Sequence, residues 1–381
     1  MERLGSHGFL PFFSALADPR SPQGRRHELV DVMVIAVCAV VCGSRGWTDI
    51  EFFGEVRKEW FATFLKLPHG IPSRDTFARI FSVLDAEAFG RCFSNWAQAL
   101  NRALGGNHIA IDGKTLRRSF DKAAKKSAIH LVSAWAVDNQ LVLGQVKVDS
   151  KSNEITAIPK LLEMLNLKGS TVTIDAMGCQ TDIAKGVVDK GGDYIFSLKG
   201  NHAQIHNQVR DFFTQAKATA YREIEHDAWE VTEKGHGRIE ERMYVLSSEV
   251  DEIEGKGNWM NLQTIGLVDA KRTIGENTTQ EDRYFLSSLK QDAEVFSKAV
   301  RGHWGIENTL HWCLDVTMNE DQSRIRIENC AENFALLRKI ALNLLRKDNN
   351  KKLSLPRKQM LASMDTNYLL NVLMGATQPR P

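Results

Sequence analysis

The sequence is short of several things that would place it quickly. Cysteine is scarce, with six in 381 residues and no CxxC pair, which excludes a disulfide-stapled miniprotein and leaves reduced, buried thiols as the reading. No apolar run reaches the ~20 residues of a membrane-spanning helix. The longest, Leu29 to Val41, contains Asp31 and reads as a buried helix. Residues Met1 to His7 lack the basic-then-apolar order of a secretory signal, so a cytoplasmic protein is expected. There is no Gly-rich loop ending in Lys-Ser/Thr and no GxGxxG after a strand, which argues against nucleotide hydrolysis and dinucleotide binding. A nucleophilic Ser or Cys elbow is absent too. An excess of one charge is also missing: 49 Lys and Arg stand against 47 Asp and Glu, a net +2.

What is present is an ordinary globular composition, 43% hydrophobic, in a chain long enough for two or three units at ~150 residues each. Basic residues concentrate in two stretches. Lys114 to Lys126 carries Lys114, Arg117, Arg118, Lys122, Lys125 and Lys126 against Asp121, a net +5. Arg338 to Lys358 carries eight basic residues against Asp348, a net +7. Each run is either a phosphate-neutralising surface or a solvated face or tail.

Residues 1 to about 105 show apolar positions at three- and four-residue spacing in Leu29–Cys42, Ile50–Phe64, Thr76–Leu84 and Phe89–Leu104, predicting a small all-helical domain. Its helix after Gly70, Ile71, Pro72, Ser73 buries Phe77, Ile80, Phe81 and Leu84. That helix is a plain core helix or a recognition helix with Arg74 and Arg79 outward. Beyond Gly105 and Gly106 the period changes. Strands are predicted at 108–111, 129–137 and 141–148, a helix at 154–165, a strand at 172–174, a helix at 181–189 and a strand at 194–198, together a mixed α/β sheet. A helix to about Lys217 precedes strand-like pieces at 221–231, 238–246, 264–268 and 283–286. Helices at 293–314 and 331–345 follow.

Two carboxylates leave the ends of buried strands: Asp112 after Ile109, Ala110, Ile111, and Asp175 after Val172, Thr173, Ile174. They sit side by side if those strands are neighbours. Clustered carboxylates repel unless a cation or a proton intervenes, and hard oxygen ligands favour magnesium or manganese. Glu307 is a third candidate, in His303, Trp304, Gly305, Ile306, Glu307, Asn308. Its alternative is a partly exposed glutamate paired with a base. His303, Glu307 and His311 recur at four-residue spacing and share a helix face. The spacing differs from that of a zinc peptidase helix, so the histidines are read as flanking a phosphate or the carboxylate. Cys179 reads as a core thiol.

These residues, in order, resemble the H-repeat-associated family of bacterial insertion-sequence transposases within the DDE superfamily, over essentially the whole chain. The resemblance is carried by Ile111–Lys114, Asp175–Gln180, Leu198–Asn201, His236–Glu240, the block His303–Asn308 with Leu310–Trp312 and Leu314–Val316, and Gly70–Phe77. It implies a ribonuclease H-like core over 106–350 with a β-rich insertion at about 201–290, between the second and third carboxylates. It further implies a DNA-binding or dimerisation domain over 1–105, with a basic tail over 351–381. Asp112, Asp175 and Glu307 would be the DDE triad holding two Mg2+ or Mn2+ ions. Lys114, Arg117, Arg118, Lys199, Arg238, Arg301, His303, Asn308 and His311 would contact DNA. Double-stranded DNA, as element ends and target, is the implied partner, bound by a homo-oligomer associated with the nucleoid; no nucleotide cofactor or membrane is implied. The expected activity is cleavage at element ends with strand transfer; a DNA-binding relic and a nuclease of the same fold are the alternatives. In one respect the chain departs from related transposases with a β insertion, which often carry Tyr-Arg-Glu-Lys around the last carboxylate. Here His303 holds the Arg position and Leu314 the Lys position, with Arg301 a possible substitute.

Overall fold

The computed structural model describes residues 8–120, 127–149, 152–235, 237–348 and 352–374. Asp121, Lys122, Lys125, Lys126, His236 and Lys351 lie outside the described residues.

The chain opens with helices α1 (Leu10–Phe13), α2 (Leu29–Val41), α3 (Trp47–Val56), α4 (Lys58–Ala62), α5 (Arg74–Val83) and α6 (Ala86–Leu104). Ser73 caps α5 by accepting from the Thr76 N–H, and Asp85 caps α6 by accepting from Glu87 and Ala88. Phe77, Ile80 and Phe81 of α5 are fully buried. Every residue from Val32 to Val41 is buried as well, so α2 has no solvent face and must be enclosed by other elements.

The sheet begins with β1 (His108–Thr115), β2 (His130–Ala136) and β3 (Leu141–Lys147). It continues through α7 (Glu154–Met164), β4 (Thr171–Ile174), α8 (Thr181–Asp189) and β5 (Asp193–Leu198). These five strands lie in the order β3-β2-β1-β4-β5, with β2 antiparallel to its neighbours and β1, β4 and β5 parallel. That order and polarity make a ribonuclease H-like sheet. After α9 (Ala203–Ala218) come β6 (His226–Gly235), β7 (Arg238–Ser247), β8 (Thr264–Ile274) and β9 (Asn277–Ser287), all antiparallel. The insertion is continuous with the core, because β9 pairs with β5 and the whole forms one nine-stranded sheet. β7, β8 and β9 run further than the apolar pieces expected from sequence, whereas β6 starts at His226 and not at the expected Tyr221, which lies in a turn. Residues from Asp269 to Arg283 form a hairpin whose two-residue turn is made by Gly275, in the left-handed region at φ +58°, and Glu276.

Helices α10 (Ala293–His303), α11 (Cys330–Lys347), α12 (Leu355–Met364) and α13 (Thr366–Met374) complete the chain. Two expectations are corrected here. The single helix expected at 293–314 is α-helical only to His303, and then widens into π-helical turns at Ile306–His311 and Cys313–Thr317. The wider turns bury Ile306, Leu310, Cys313 and Leu314 together. The basic tail expected from 351 is, over its described residues, the pair α12 and α13. Arg338 and Lys339, in the second basic run, are buried inside α11. Arg338 lies over the Phe334 ring at 4.4 Å, and Lys339 donates to Gln145. Lys358 donates to the Leu345 carbonyl, closing the end of α11. Packing, rather than DNA, claims these three cations.

Helix α11 ties the two halves together. Trp47 of α3 meets Phe334 edge-on, Asn333 donates to the Phe81 and Leu84 carbonyls, and Asn343 bonds both backbone groups of Val142 in β3. The helical region and the nine-stranded sheet therefore share one hydrophobic core. On the sheet's other flank α10 approaches β1 closely at Gly302. A Cβ there would lie 2.7 Å from His108 Cε1 and 2.9 Å from Val137 Cγ1. Gly302→Ala is expected to cost ~1–3 kcal/mol by overpacking, read as a lower urea midpoint; an unchanged midpoint would show that α10 can move off β1 freely.

Candidate active site

Strand pairing dictates the first part of the site. β1 and β4 are parallel neighbours with Ile111 opposite Ile174, so the following residues, Asp112 and Asp175, stand side by side; Asp175 leaves the sheet, whereas β1 continues past Asp112, paired with Ser133 of β2, as far as Thr115, a correction to the strand end expected at Ile111. Asp175 begins a 3-10 turn over Ala176–Gly178, and its Oδ1 accepts from the N–H groups of Met177 at 3.1 Å and Gly178 at 3.3 Å. Gly178 has no room for a side chain, since a Cβ would lie 2.3 Å from Ile174 Cγ2. Glu307 stands in the first π turn, exposed. It lines a cleft of about 330 Å³ together with Asp175, Lys199, Arg283, His303 and Trp304.

Burial pushes the Asp112 carboxyl up to about 7, against the pull of the Gly113 N–H, and the charges of Asp175, Glu154 and Glu307 push the same way. Burial also raises Asp175, with Glu154 adding to it while the Gly178 and Met177 N–H groups and the Lys199 ammonium oppose. His311 Nδ1 lies 3.7 Å from Asp112 Oδ2. Burial, helped by Lys114 and Lys339, holds His311 down at about 3, so it faces Asp112 as a neutral ring. Its Nε2 is buried and has no hydrogen-bond partner among the described residues.

The donor set suits a hard divalent cation. The crowded carboxylates favour a partner of positive charge, which a cation would supply. As the side chains stand, no three His, Cys, Asp or Glu among the described residues are gathered tightly enough to hold an ion. The helical stripe of His303, Glu307 and His311 does not converge either. His303 Nδ1 and His108 Nε2 both meet the Thr173 hydroxyl, at 3.1 and 3.0 Å. That hydroxyl can donate to one ring and accept from the other. Burial holds both rings near 4, so both are neutral.

The remaining residues expected to contact DNA divide into two groups. Lys199 follows β5 and opens, exposed, into the cleft beside Asp175. Asn308 is exposed on the π turn of Glu307, and Arg117 and Arg118 are exposed beyond β1. Lys114 is a correction. Its ammonium is 2.7 Å from Asp315, 3.0 Å from Asp321 and 3.5 Å from Glu320, with only 11% of the side chain exposed. It anchors the segment that carries Glu307 to the strand that carries Asp112. His303 lines the cleft with its Nδ1 turned to the Thr173 hydroxyl. Arg301 pairs with Glu233 of β6 at 2.8 Å, so it faces the insertion and not the place of the missing Arg. Arg238 pairs with Glu240 at the far end of the β6–β7 hairpin.

Sequence reasoning missed Arg283, whose guanidinium lies 4.6 Å over the Trp304 ring at the cleft wall. It also missed Glu154 and His130. No spacing rule marks them, although Asn153 accepting from the Ile155 N–H announces a helix start just there.

The Transposase DDE domain model matches residues 103–344, and the DDE_Tnp_1-associated model matches residues 10–97. The chain is 42% identical over 368 residues to the H repeat-associated putative transposase YhhI of Escherichia coli K12, covering 95% of this chain and 97% of that one. It is 41% identical over 379 residues to the transposase-named protein YncI of Escherichia coli O157:H7, covering 98% and 96%. Among solved structures, a piggyBac transposase synaptic complex with hairpin DNA aligns over 98% of this chain and 78% of that one, at a TM-score of 0.40 and 11% identity.

The upward shift of Asp112 has a consequence for stability. An acid whose folded value lies above its unfolded value costs stability as pH rises from about 4 to 7, and the full cost persists above 7. Asp112→Asn is therefore expected to raise the melting temperature at pH 8 in EDTA, with the gain vanishing near pH 4. Equal melting curves at pH 8 would show that Asp112 is not under strain.

Proposed function

The chain belongs to the DDE transposase family, and from that premise we propose that it is a DNA transposase that cleaves the ends of its own element and joins them to target DNA. The observation that carries the proposal is the register of β1 on β4, which sets Asp112 beside Asp175, the aspartate that shares a cleft with Glu307.

Asp112, Asp175 and Glu307 would hold the divalent cations, which supply charge neutralisation at phosphorus and activation of the attacking hydroxyl. The chain's own residues bind and orient. Phosphoryl transfer asks for positioning and preformed positive charge more than for a nucleophile from the protein. Lys199 stands beside Asp175 where a phosphate oxygen would lie, and Asn308 offers an amide from the turn of Glu307. His311, neutral and packed against Asp112, orients that carboxylate without competing for its charge. Arg117 and Arg118, exposed beyond the end of β1, track the DNA backbone and fix its register without reading sequence. Both ends of an element must be cut in concert, so two or more copies of the chain act on one DNA.

The test is cleavage and strand transfer in Mg2+ or Mn2+ on DNA carrying the gene's own flanking sequence. Asp112→Asn, Asp175→Asn and Glu307→Gln should each reduce products to the level seen without divalent cation while retaining circular dichroism and DNA binding. Full activity in any one removes that residue from the triad. Nicks without joined products in the wild type would replace transposition with simple nuclease activity.

Replacing Arg117 and Arg118 together with Ala should weaken binding to all DNA sequences alike and lower the slope of log affinity against log salt by about 2. An unchanged slope would remove their phosphate role.

A further inference from the structure

The outer edge of the nine-stranded sheet is β6, which pairs with β7 on one side and with no described strand on the other. It runs in unbroken register from His226 to Gly235, without a bulge or a proline, and every residue but Val231 is exposed. The opposite edge, β3, is buried over most of its length. A long, regular, uncovered edge is a template for another strand, and proteins blunt such edges unless they use them.

The β6–β7 hairpin closes at Gly235–Arg238, a pair that exchanges both of its ladder bonds in so tight a turn. Every second pair along an antiparallel ladder does the same. The odd-numbered residues of β6 therefore bond to β7, and the even-numbered ones direct their N–H and C=O outward. Ala228 illustrates this, since its N–H is met by Asp227 Oδ1 at 3.0 Å and not by β7. Among the described residues nothing meets the main-chain groups of Glu230, Thr232 and Lys234 on that side. Side chains alternate in step. Asp227 accepts from the Ala293 N–H and Glu233 from Arg301, both on α10, so Glu230, Thr232 and Lys234 stand on the open face of the strand. Across β7 Glu230 faces Met243 and Lys234 faces Ile239, and neither meets a charge there.

We propose that β6 pairs antiparallel with β6 of a second copy of the chain about a two-fold axis, joining two sheets edge to edge. This rests on the proposed function, which calls for two copies on one DNA, and it names the surface through which they meet. A two-fold axis through the sheet sets each residue opposite one from the same face, so the possible registers differ by steps that keep even residues opposite even ones. Charge selects among them. Centring the pair on Glu230 or on Glu233 sets like charges face to face, and centring it on Val231 gives no charge an opposite partner. Centring it on Thr232 places Glu230 opposite Lys234 of the second copy, twice over by symmetry, and Thr232 opposite its own counterpart. The outward N–H and C=O groups of all three residues are then used. Trp229, 40% exposed, comes to lie across from Gly235 of the second copy, and a Cβ on Gly235 would meet only open space.

The experiment is sedimentation equilibrium of the full chain without DNA over a concentration series, in which the wild type should form a dimer. Thr232→Pro removes an outward N–H and breaks no bond to β7; it should sediment as a monomer with unchanged circular dichroism. Glu230→Lys or Lys234→Glu alone should weaken association about tenfold, since symmetry counts the contact twice. The double variant restores the pair with its signs exchanged and should return to wild-type affinity. A monomeric wild type, or a dimer that Thr232→Pro leaves intact, overturns the inference. Single charge variants that associate as the wild type does, or a double variant no tighter than they are, overturn it as well, which keeps the test decisive if Thr232→Pro does not fold. A wild type that pairs through β6 yet gives neither nicks nor joined products on DNA carrying its own flanking sequence overturns the proposed function and not the pairing.

Discussion

The parallel pairing of β1 with β4 is the constraint from which the rest of the site follows. Hydrophobic burial fixes the register, because shifting it would turn Ile111 and Ile174 out of the core. Once it is fixed, the next residue on each strand is an aspartate, and two carboxylates are held together where water is scarce. An unpaired buried charge is expensive. The surroundings lessen that cost at Asp175, with two backbone N–H groups and the Lys199 ammonium nearby. At Asp112 much less is offered. The neighbouring His311 is a neutral ring, and burial pushes the carboxyl up to about 7. The site is prepared to take up positive charge.

Glu307 has to be brought to this edge from far along the chain, and its carrier segment is fastened at both ends. Before it, α10 lies on β1 without the spacing of a side chain at Gly302, and His303 is bonded through Thr173 to the strand that ends in Asp175. After it, Asp315 and Asp321 close on Lys114, two residues beyond Asp112 on the same face of β1. Between these fastenings the helix is π-wound. A π turn is less well bonded than an α turn and is often retained where function requires it. Here it lets four apolar side chains enter the core while Glu307 remains at the cleft. Lys114 thus works as an internal tether; Asp321 also has Arg117 at 3.3 Å, but Asp315 would lose its ion-pair partner if Lys114 were lost.

Much of this was legible in the sequence, for physical reasons that can be named. A short apolar run ending in Asp-Gly or Asp-Ala-Met-Gly marks a buried strand, so Asp112 and Asp175 could be found without a structure, although β1 runs on past Asp112 to Thr115. The alternation of strands and helices through Leu198 likewise gave the core order. The destinations of the cations were not legible. Arg338, Lys339 and Lys358 read as surface because long basic side chains are rarely buried, but an aromatic face, an amide and a helix end supply them with partners inside. The outer half of the insertion was hidden because Asp269 to Arg283 is polar on both faces of its hairpin, and period-2 alternation vanishes when neither face is buried.

Near-neutral net charge sets the terms on which this chain can meet DNA. A protein with an excess of cations attracts a polyanion at long range, whereas one with a net +2 must do so through local arrangement. Near the cleft that arrangement is largely internal pairing. Arg242 is paired with Glu233 and Glu240, Arg301 with Glu233, and Arg283 with Glu281. The Arg301–Glu233 pair, with nearly half of each side chain exposed, is worth little, about 0–1 kcal/mol, so a phosphate would replace that glutamate as the partner at small cost. Bound DNA would then exchange partners with groups already held in place, and the carboxylates it displaces would disfavour any polyanion not seated well enough to compensate them. On this view the insertion contributes geometry more than attraction: its arginines are positioned by their acidic partners before the DNA arrives.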